Sequence, residues 1–271
     1  MPLESLFGKP RVLIGMVHLG ALPGSPHFAG SLERVVQAAV TDARVLEEAG
    51  LDGVVVENFG DVPFYAERVP PETVAAMSLA VSAIGSAVRF PIGVNVLRND
   101  ARAALGLCAA TRASFLRVNV HVGASVTDQG WIEGRAAETL RERARLWAGV
   151  PEAAPFVFAD VDVKHATPLG ETDLGSIAED THERGGADVL LVTGSGTGKE
   201  ASFDDVRRVR QAVPEAPVLV ASGITDKTVA RAFQEAHGAI VGTWLKREGR
   251  VGHPVDPARA RALVAASRSG S

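Results

Sequence analysis

Short apolar segments alternate with longer amphipathic segments along almost the whole chain. The short segments predict eight buried β-strands, at Arg11–Leu19, Gly53–Asn58, Pro91–Leu97, Phe115–His121, Ala154–His165, Ala187–Gly194, Pro217–Ile224 and Gly238–Lys246. The amphipathic segments predict eight helices, at Leu32–Ala49, Pro71–Val88, Asp100–Thr111, Arg135–Trp147, Asp173–Arg184, Phe203–Val213, Thr225–Ala236 and Pro257–Ser267. Strands that alternate with helices at this spacing require a parallel sheet with right-handed crossovers.

The number of strand–helix units decides between a barrel and an open sheet. Eight units in 271 residues favour a closed (β/α)8 barrel, a fold that typically needs about 250 residues. An open, doubly wound sheet is the alternative, but the turn after the first strand is Gly20-Ala-Leu-Pro-Gly24 and not G-x-G-x-x-G. No linker interrupts the pattern, so the sequence predicts a single α/β TIM-barrel domain over residues 1–271.

Composition and charge narrow the class of protein. Hydrophobic residues make up 46% of the chain, enough for a large core, and the net charge of −4 provides no basic surface for nucleic acid. No segment approaches the roughly 20 apolar residues of a membrane span, and the N-terminus lacks the apolar core of a signal peptide. We therefore expect a cytoplasmic protein, one that forms a homo-oligomer and binds a small molecule.

Polar side chains fall on the faces of four strands that point into the predicted barrel, because successive residues of a strand face opposite sides. Those nearest the strand ends are Glu57, Asn95, Asn119, His121, Asp162 and Lys164. Catalytic residues of this fold come from the C-terminal ends of several strands, so we predict these six as catalytic. The alternative is a polar network whose hydrogen bonds are satisfied and which has no chemical role.

Three other inward or rim positions receive different predictions. Arg117 and Asp160 lie deepest in their strands, and a buried ion pair between them is predicted, away from any substrate. His18 ends the first strand and is a further acid–base candidate at the rim.

A divalent metal stays an alternative, with possible ligands among Glu57, His121, Asp160, Asp162 and His165. No metal-binding spacing such as H-x-x-x-H supports it, so no metal or other cofactor is predicted.

The last two predicted strands each contain a glycine toward the C-terminal end. Ser222-Gly223 lies near the end of the seventh strand, and Gly242-Thr243 lies within the eighth. Glycine lets a ligand approach backbone N–H groups closely, and barrels commonly hold phosphate after these two strands. We predict a phosphate site at Ser222, Gly223, Gly242 and Thr243; the alternative is that Gly223 only forms a tight turn.

Several long motifs resemble the BtpA family. They include GMVHLGALPGSP (Gly15–Pro26), DGVVVENFGDVPF (Asp52–Phe64), GVNVLRND (Gly93–Asp100), LRVNVHVGASVTDQGWIEG (Leu116–Gly134) and VLVASGIT (Val218–Thr225). The resemblance extends from about Arg11 to Val264. It implies a barrel similar to the phosphate-binding barrels of tryptophan biosynthesis, in a family named for photosystem I assembly or stability.

Two functions are compatible with these patterns. The first is an enzyme of isomerase, epimerase or lyase type that acts on a phosphorylated sugar or ribosyl-type metabolite. In it, Asp162 and Glu57 would serve as acid and base, and Lys164 would act electrostatically or form a Schiff base. The second is a non-catalytic assembly or stability factor, peripheral to a membrane, for a complex such as photosystem I. We favour the enzyme, because an assembly factor has no use for polar groups that converge inside a barrel.

Overall fold

The computed structural model of the chain describes residues 1–162, 166–169, 173–194 and 201–268. Its strands, in chain order, are β1 (Val12–His18), β2 (Gly53–Glu57), β3 (Ile92–Asn95), β4 (Ala113–Val118), β5 (Ala124–Thr127), β6 (Gly130–Glu133), β7 (Phe156–Asp162), β8 (Ala166–Pro168), β9 (Val189–Val192), β10 (Val218–Val220) and β11 (Gly238–Val241). The other eight strands, all except β5, β6 and β8, each overlap one of the predicted strands, although their bounds differ by several residues in places.

Those eight strands form a closed parallel barrel. Each strand pairs with its neighbour in the order β1-β2-β3-β4-β7-β9-β10-β11, and β11 pairs with β1 to complete the ring. The predicted (β/α)8 fold is confirmed. The strand register also defines a layer of inward side chains, because His18, Glu57, Asn95 and Arg117 lie opposite one another across β1 to β4.

Helices surround the barrel in alternation with the strands. They are α1 (Pro2–Phe7), α2 (Leu32–Ala49), α3 (Pro71–Ala87), α4 (Ala101–Ala110), α5 (Ala136–Leu146), α6 (Leu174–Glu179), α7 (Phe203–Ala212), α8 (Val229–Glu235) and α9 (Pro257–Arg268). Local signals fix some boundaries accurately. The Ser31 side chain accepts a hydrogen bond from the N–H of Arg34 at the start of α2, and the left-handed Gly50 ends that helix, as in many helices.

The barrel interior away from the rim is apolar and is covered by α1. Buried Ile14, Val55, Phe115, Phe158 and other inward residues form one cluster. Leu3 of α1 joins this cluster, and Phe7 stacks edge-on against Phe115 with ring centroids 5.9 Å apart. The apolar layer confines polar chemistry to the C-terminal end of the barrel. The sequence reading assigned no element to this N-terminal segment.

A small antiparallel sheet lies outside the barrel ring. β5 and β6 form a hairpin after β4, and β8 pairs with β5 on its other side. The prediction placed no strands here.

The predicted seventh helix begins late, at Val229, because a turn precedes it in which the N–H of Thr225 donates to the Thr228 hydroxyl. Among the residues described, no helix combines the length and apolar character needed to cross a membrane.

Candidate active site

A cavity of about 320 Å³ opens at the C-terminal ends of β1, β2, β10 and β11. Its wall contains Glu57 and all four residues of the predicted phosphate site, Ser222, Gly223, Gly242 and Thr243. A second cavity, of about 350 Å³, lies outside the barrel between α4 and α5 and contains no residue of the barrel interior. The first cavity is therefore the candidate site.

The strand ends at β10 and β11 expose backbone to the cavity. Gly223 has φ +69°, a left-handed conformation that favours glycine. A Cβ atom at Gly242 would lie 3.0 Å from Cε1 of His18, so glycine lets the chain pass close to that ring. Within the described chain, the N–H groups of Gly223, Thr243 and Trp244 donate no hydrogen bond. They are available to an oxyanion in the cavity.

His18 and Glu57 form a close pair at the ends of β1 and β2, next to the end of β11. Nε2 of His18 lies 3.8 Å from Oε1 of Glu57, and both side chains are buried to about nine-tenths. The ring of Phe59 covers His18, with centroids 4.9 Å apart. An imidazole and a carboxylate at this distance, both lining the cavity, suit proton transfer to a bound molecule.

The predicted ion pair between Arg117 and Asp160 is confirmed. Nε and Nη2 of Arg117 each donate to one carboxylate oxygen of Asp160, both at 2.9 Å, and both side chains are buried. Burial by itself lowers the pKa of Arg117, but the charge and hydrogen bonds of Asp160 outweigh it and the pKa is raised. The guanidinium is therefore a permanent cation.

The predicted depth of Arg117 is wrong. Arg117 lines the cavity, level with Asn95 and Glu57 in the strand register. The parity of a strand gives the direction of its side chains but not their height in the barrel. Height depends on the stagger between strands, and the pairing of β3 with β4 shifts between Ile92 and Gly93. A substrate in the cavity would meet Arg117 as part of its floor.

Asn95 and Asn119 support this ion pair. Nδ2 of Asn95 donates to the Asn119 side-chain oxygen at 3.2 Å, and Nδ2 of Asn119 donates to Asp160 at 2.9 Å. Both residues face inward as predicted, and neither is part of the cavity wall. Their donated hydrogen bonds hold Asp160 and through it Arg117, as in the alternative of a polar network, although the buried Oδ1 of Asn95 accepts no hydrogen bond from the described residues.

The inward orientation predicted for His121 is wrong. Its Nε2 lies 2.8 Å from the carbonyl oxygen of Gly185, in the segment that leads from α6 to β9. Burial, the largest effect, lowers the pKa of His121. Strand β4 ends at Val118, so the alternation of faces no longer holds three residues later. His121 belongs to the packing outside the barrel.

The structure does not describe the side chains of two residues that are predicted to be catalytic. Asp162 ends β7, but its side chain lies outside the described part of the structure, and Lys164 lies outside the described residues altogether. The same holds for His165, one of the alternative metal ligands. Among the residues that are described, no cluster of three or more His, Cys, Asp or Glu side chains is arranged to hold a metal ion.

Two arginines near the barrel mouth were not selected from the sequence. Arg98 is buried just after β3; burial lowers its pKa, whereas the charges of Asp160 and Glu57 act in the opposite direction. Arg259 lines the cavity from the first turn of α9, beside Trp244. Arg98 falls within the quoted GVNVLRND motif. Arg259 lies three residues after Asp256, which precedes α9, so its place in the first turn of the last helix could be predicted from the sequence.

The fold and the cavity define the class of protein as a (β/α)8 barrel with a polar site at the C-terminal ends of its strands. Solved structures with this fold include thiamine phosphate pyrophosphorylase from Pyrococcus furiosus, with TM-score 0.58, 12% identity and coverage of 96% of this chain and 97% of the other. Phosphoribosyl anthranilate isomerase from Thermus thermophilus has TM-score 0.55 and 14% identity, with coverage of 95% and 98%.

Sequence comparison identifies the family. The chain belongs to the BtpA family, whose model matches residues 9–269. The photosystem I biogenesis protein BtpA of Synechocystis sp. is 41% identical over 270 residues, which are 100% of this chain and 92% of the relative. An uncharacterized protein of Thermococcus kodakarensis is 46% identical over 256 residues, 94% of each chain. The resemblance seen in the sequence motifs is confirmed.

Proposed function

We propose that this protein is an enzyme that acts on a phosphorylated sugar or ribosyl-type metabolite, with a reaction of isomerase, epimerase or lyase type. One observation carries the proposal: a single cavity joins the glycine-containing ends of β10 and β11 to the His18–Glu57 pair of β1 and β2. The first feature suits a phosphate group, and the second suits proton transfer. Each of these reaction types requires both.

In this proposal the phosphate group binds at Ser222, Gly223, Gly242 and Thr243, all of which line the cavity. The carbon skeleton then extends across the barrel mouth toward Glu57. Glu57 removes a proton from the substrate, and His18 exchanges a proton with an oxygen of the same molecule. Arg117 on the floor stabilises negative charge that develops on the substrate, because a buried, fixed cation interacts strongly with a nearby oxyanion.

The remaining predicted residues keep a place in the proposal. Asp162 ends the strand that carries Asp160, and Lys164 lies two residues further along the chain. We propose them as a second acid–base group and as an electrostatic or Schiff-base group. Asn95 and Asn119 position the Arg117–Asp160 pair and do not touch substrate. His121 has no part in it. The names of the two barrels compared above include phosphorylated compounds, which supports the substrate class.

Binding and turnover test the proposal separately. Inorganic phosphate and a pool of sugar phosphates are titrated into the protein and followed by 31P NMR, and conversion of any pool member is followed by 1H NMR. Glu57→Gln keeps the shape of the side chain and removes its charge. We expect this variant to bind phosphate like the parent and to lose about 100-fold or more in turnover.

The exposed Glu33, on α2, provides a matched control. Glu33→Gln should leave both binding and turnover unchanged. A parent protein that binds neither phosphate nor any sugar phosphate would contradict the proposed substrate class. Full turnover by Glu57→Gln would contradict the catalytic assignment.

A second candidate function is a non-catalytic assembly or stability factor. The observation in its favour is the name of the Synechocystis relative, photosystem I biogenesis protein BtpA, at 41% identity. The Glu57→Gln variant separates the two functions. If the phenotype of a strain that lacks the protein is restored equally well by the variant and the parent, the assembly role is favoured over the enzyme.

A further inference from the structure

Arg259 is held rigidly at the rim of the cavity by three contacts. Asp256 Oδ1 accepts hydrogen bonds from the N–H groups of Ala258 at 2.8 Å and Arg259 at 3.2 Å, which fixes the first turn of α9. The Arg259 guanidinium lies 4.3 Å from the centroid of the Trp244 ring. Its Nη1 donates to the Trp244 carbonyl oxygen at 2.9 Å. The side chain is therefore oriented before any ligand binds.

The guanidinium of Arg259 keeps unused donors, and the residue lines the cavity. A guanidinium has five N–H donors, and one contact to a carbonyl oxygen leaves most of them available. No carboxylate of the described chain forms an ion pair with Arg259, whereas Arg117, Arg143 and Arg207 are each paired. Glu248, an acidic side chain on the cavity wall, contacts Arg250 and His253 at 3.7 and 3.8 Å.

Among the described residues, the four of the proposed phosphate site carry no positive charge. Ser222, Gly223, Gly242 and Thr243 contribute only neutral N–H and hydroxyl groups. Such groups bind an oxyanion, but a charged donor forms a hydrogen bond roughly twice as strong as a neutral one. Among the described residues that line the cavity, Arg259 is the cation on this side, because Arg117 lies on the floor and is paired with Asp160.

We propose that Arg259 is the cationic group of the phosphate subsite and that it makes the subsite selective for a dianionic phosphate monoester. This inference rests on the proposed function and deepens it, because it names the charge state of the ligand. The planar fork of an arginine matches two oxygens of a phosphate group. Selectivity for the dianion follows because the electrostatic attraction between the fixed cation and the ligand is stronger for two negative charges than for one.

Affinity for inorganic phosphate, measured by isothermal titration calorimetry, tests the proposal. Arg259→Gln should bind phosphate about 10- to 100-fold more weakly than the parent at pH 7.5. Arg261→Gln is the control, because Arg261 lies two residues further along α9 and is exposed; it should bind like the parent. The parent should also bind more weakly at pH 5.5, where phosphate is mainly the monoanion.

The outcomes distinguish this inference from the proposed function. If the parent binds phosphate and Arg259→Gln binds it equally well, the role of Arg259 is wrong and the phosphate site stands. If the parent binds no phosphate, the proposed function fails as well. Should Arg259→Gln fold poorly by circular dichroism, Arg259→Lys keeps the charge and most of the stem. Parent-like affinity in Arg259→Lys would overturn the need for the guanidinium fork.

Discussion

The Arg117–Asp160 pair allows a stability prediction from its geometry. Asp160→Ala removes the acceptor of three hydrogen bonds of 2.9 Å, two from Arg117 and one from Asn119. The two charged side chains are 3% and 0% exposed, so water cannot replace the lost partner. Removal of one partner of a buried ion pair typically costs about 3–5 kcal/mol. We expect a loss of that size in the free energy of unfolding.

Urea denaturation and thermal melting followed by circular dichroism measure this loss. For a domain of this size, each kcal/mol lowers the melting temperature by roughly 2–4 °C, so a decrease of roughly 6–20 °C is expected. The matched control is Asp204→Ala, which breaks the exposed i,i+3 pair of Asp204 with Arg207 on α7. A surface pair of this kind contributes about 1 kcal/mol or less.

A double variant separates the ion pair from a general intolerance of the site. Replacement of both partners, as in Arg117→Met with Asp160→Leu, leaves no buried charge without a partner. Such replacements are often neutral or stabilising, so the double variant should be more stable than Asp160→Ala. The reasoning is refuted if Asp160→Ala melts like the parent, or if the double variant is less stable than the single one.

Two further predictions concern the apolar end of the barrel and the region outside it. Leu3→Ala should lower the free energy of unfolding, measured by urea denaturation, by about 2–5 kcal/mol, because Leu3 is buried in the barrel interior. Leu79→Ala, at an exposed position, is the control. Equal losses in the two variants would show that α1 does not close the barrel. Burial lowers the pKa of His121 in the folded state, so the unfolded chain, with an ordinary histidine pKa of about 6.5, takes up the proton first as the pH falls. The contribution of the neutral, buried His121 to the free energy of unfolding is fully present above pH about 6.5 and is lost as the pH falls through the lower folded-state pKa. The free energy of unfolding, measured at pH 7, 6 and 5, should therefore decrease less with falling pH in His121→Gln than in the parent. The control His27→Gln, at an exposed position, should show the same pH dependence as the parent. An unchanged pH dependence in His121→Gln would contradict the buried position of this side chain.

Local patterns in the sequence determined most of the secondary structure. The predicted helix Leu32–Ala49 matches α2 residue for residue because its cap residues, Ser31 and Gly50, are adjacent to it in the chain. The inward faces of β2 and β3 followed from strand alternation, which correctly oriented Glu57 and Asn95. The same alternation, together with the cost of an unpaired buried charge, predicted the Arg117–Asp160 pair. These features depend on residues within a few positions or on a single energetic rule.

Only the tertiary structure decided which polar groups share a cavity. The heights of inward side chains depend on the stagger between strands, which placed Arg117 level with Glu57 and brought His18 to within 3.8 Å of Glu57. The orientation of His121 changed because β4 ends before it. Arg259 reached the cavity because α9 follows the last strand and begins at the rim. Each of these outcomes depends on the relative positions of segments distant in sequence, which closure of the barrel sets and which periodicity along one segment does not contain.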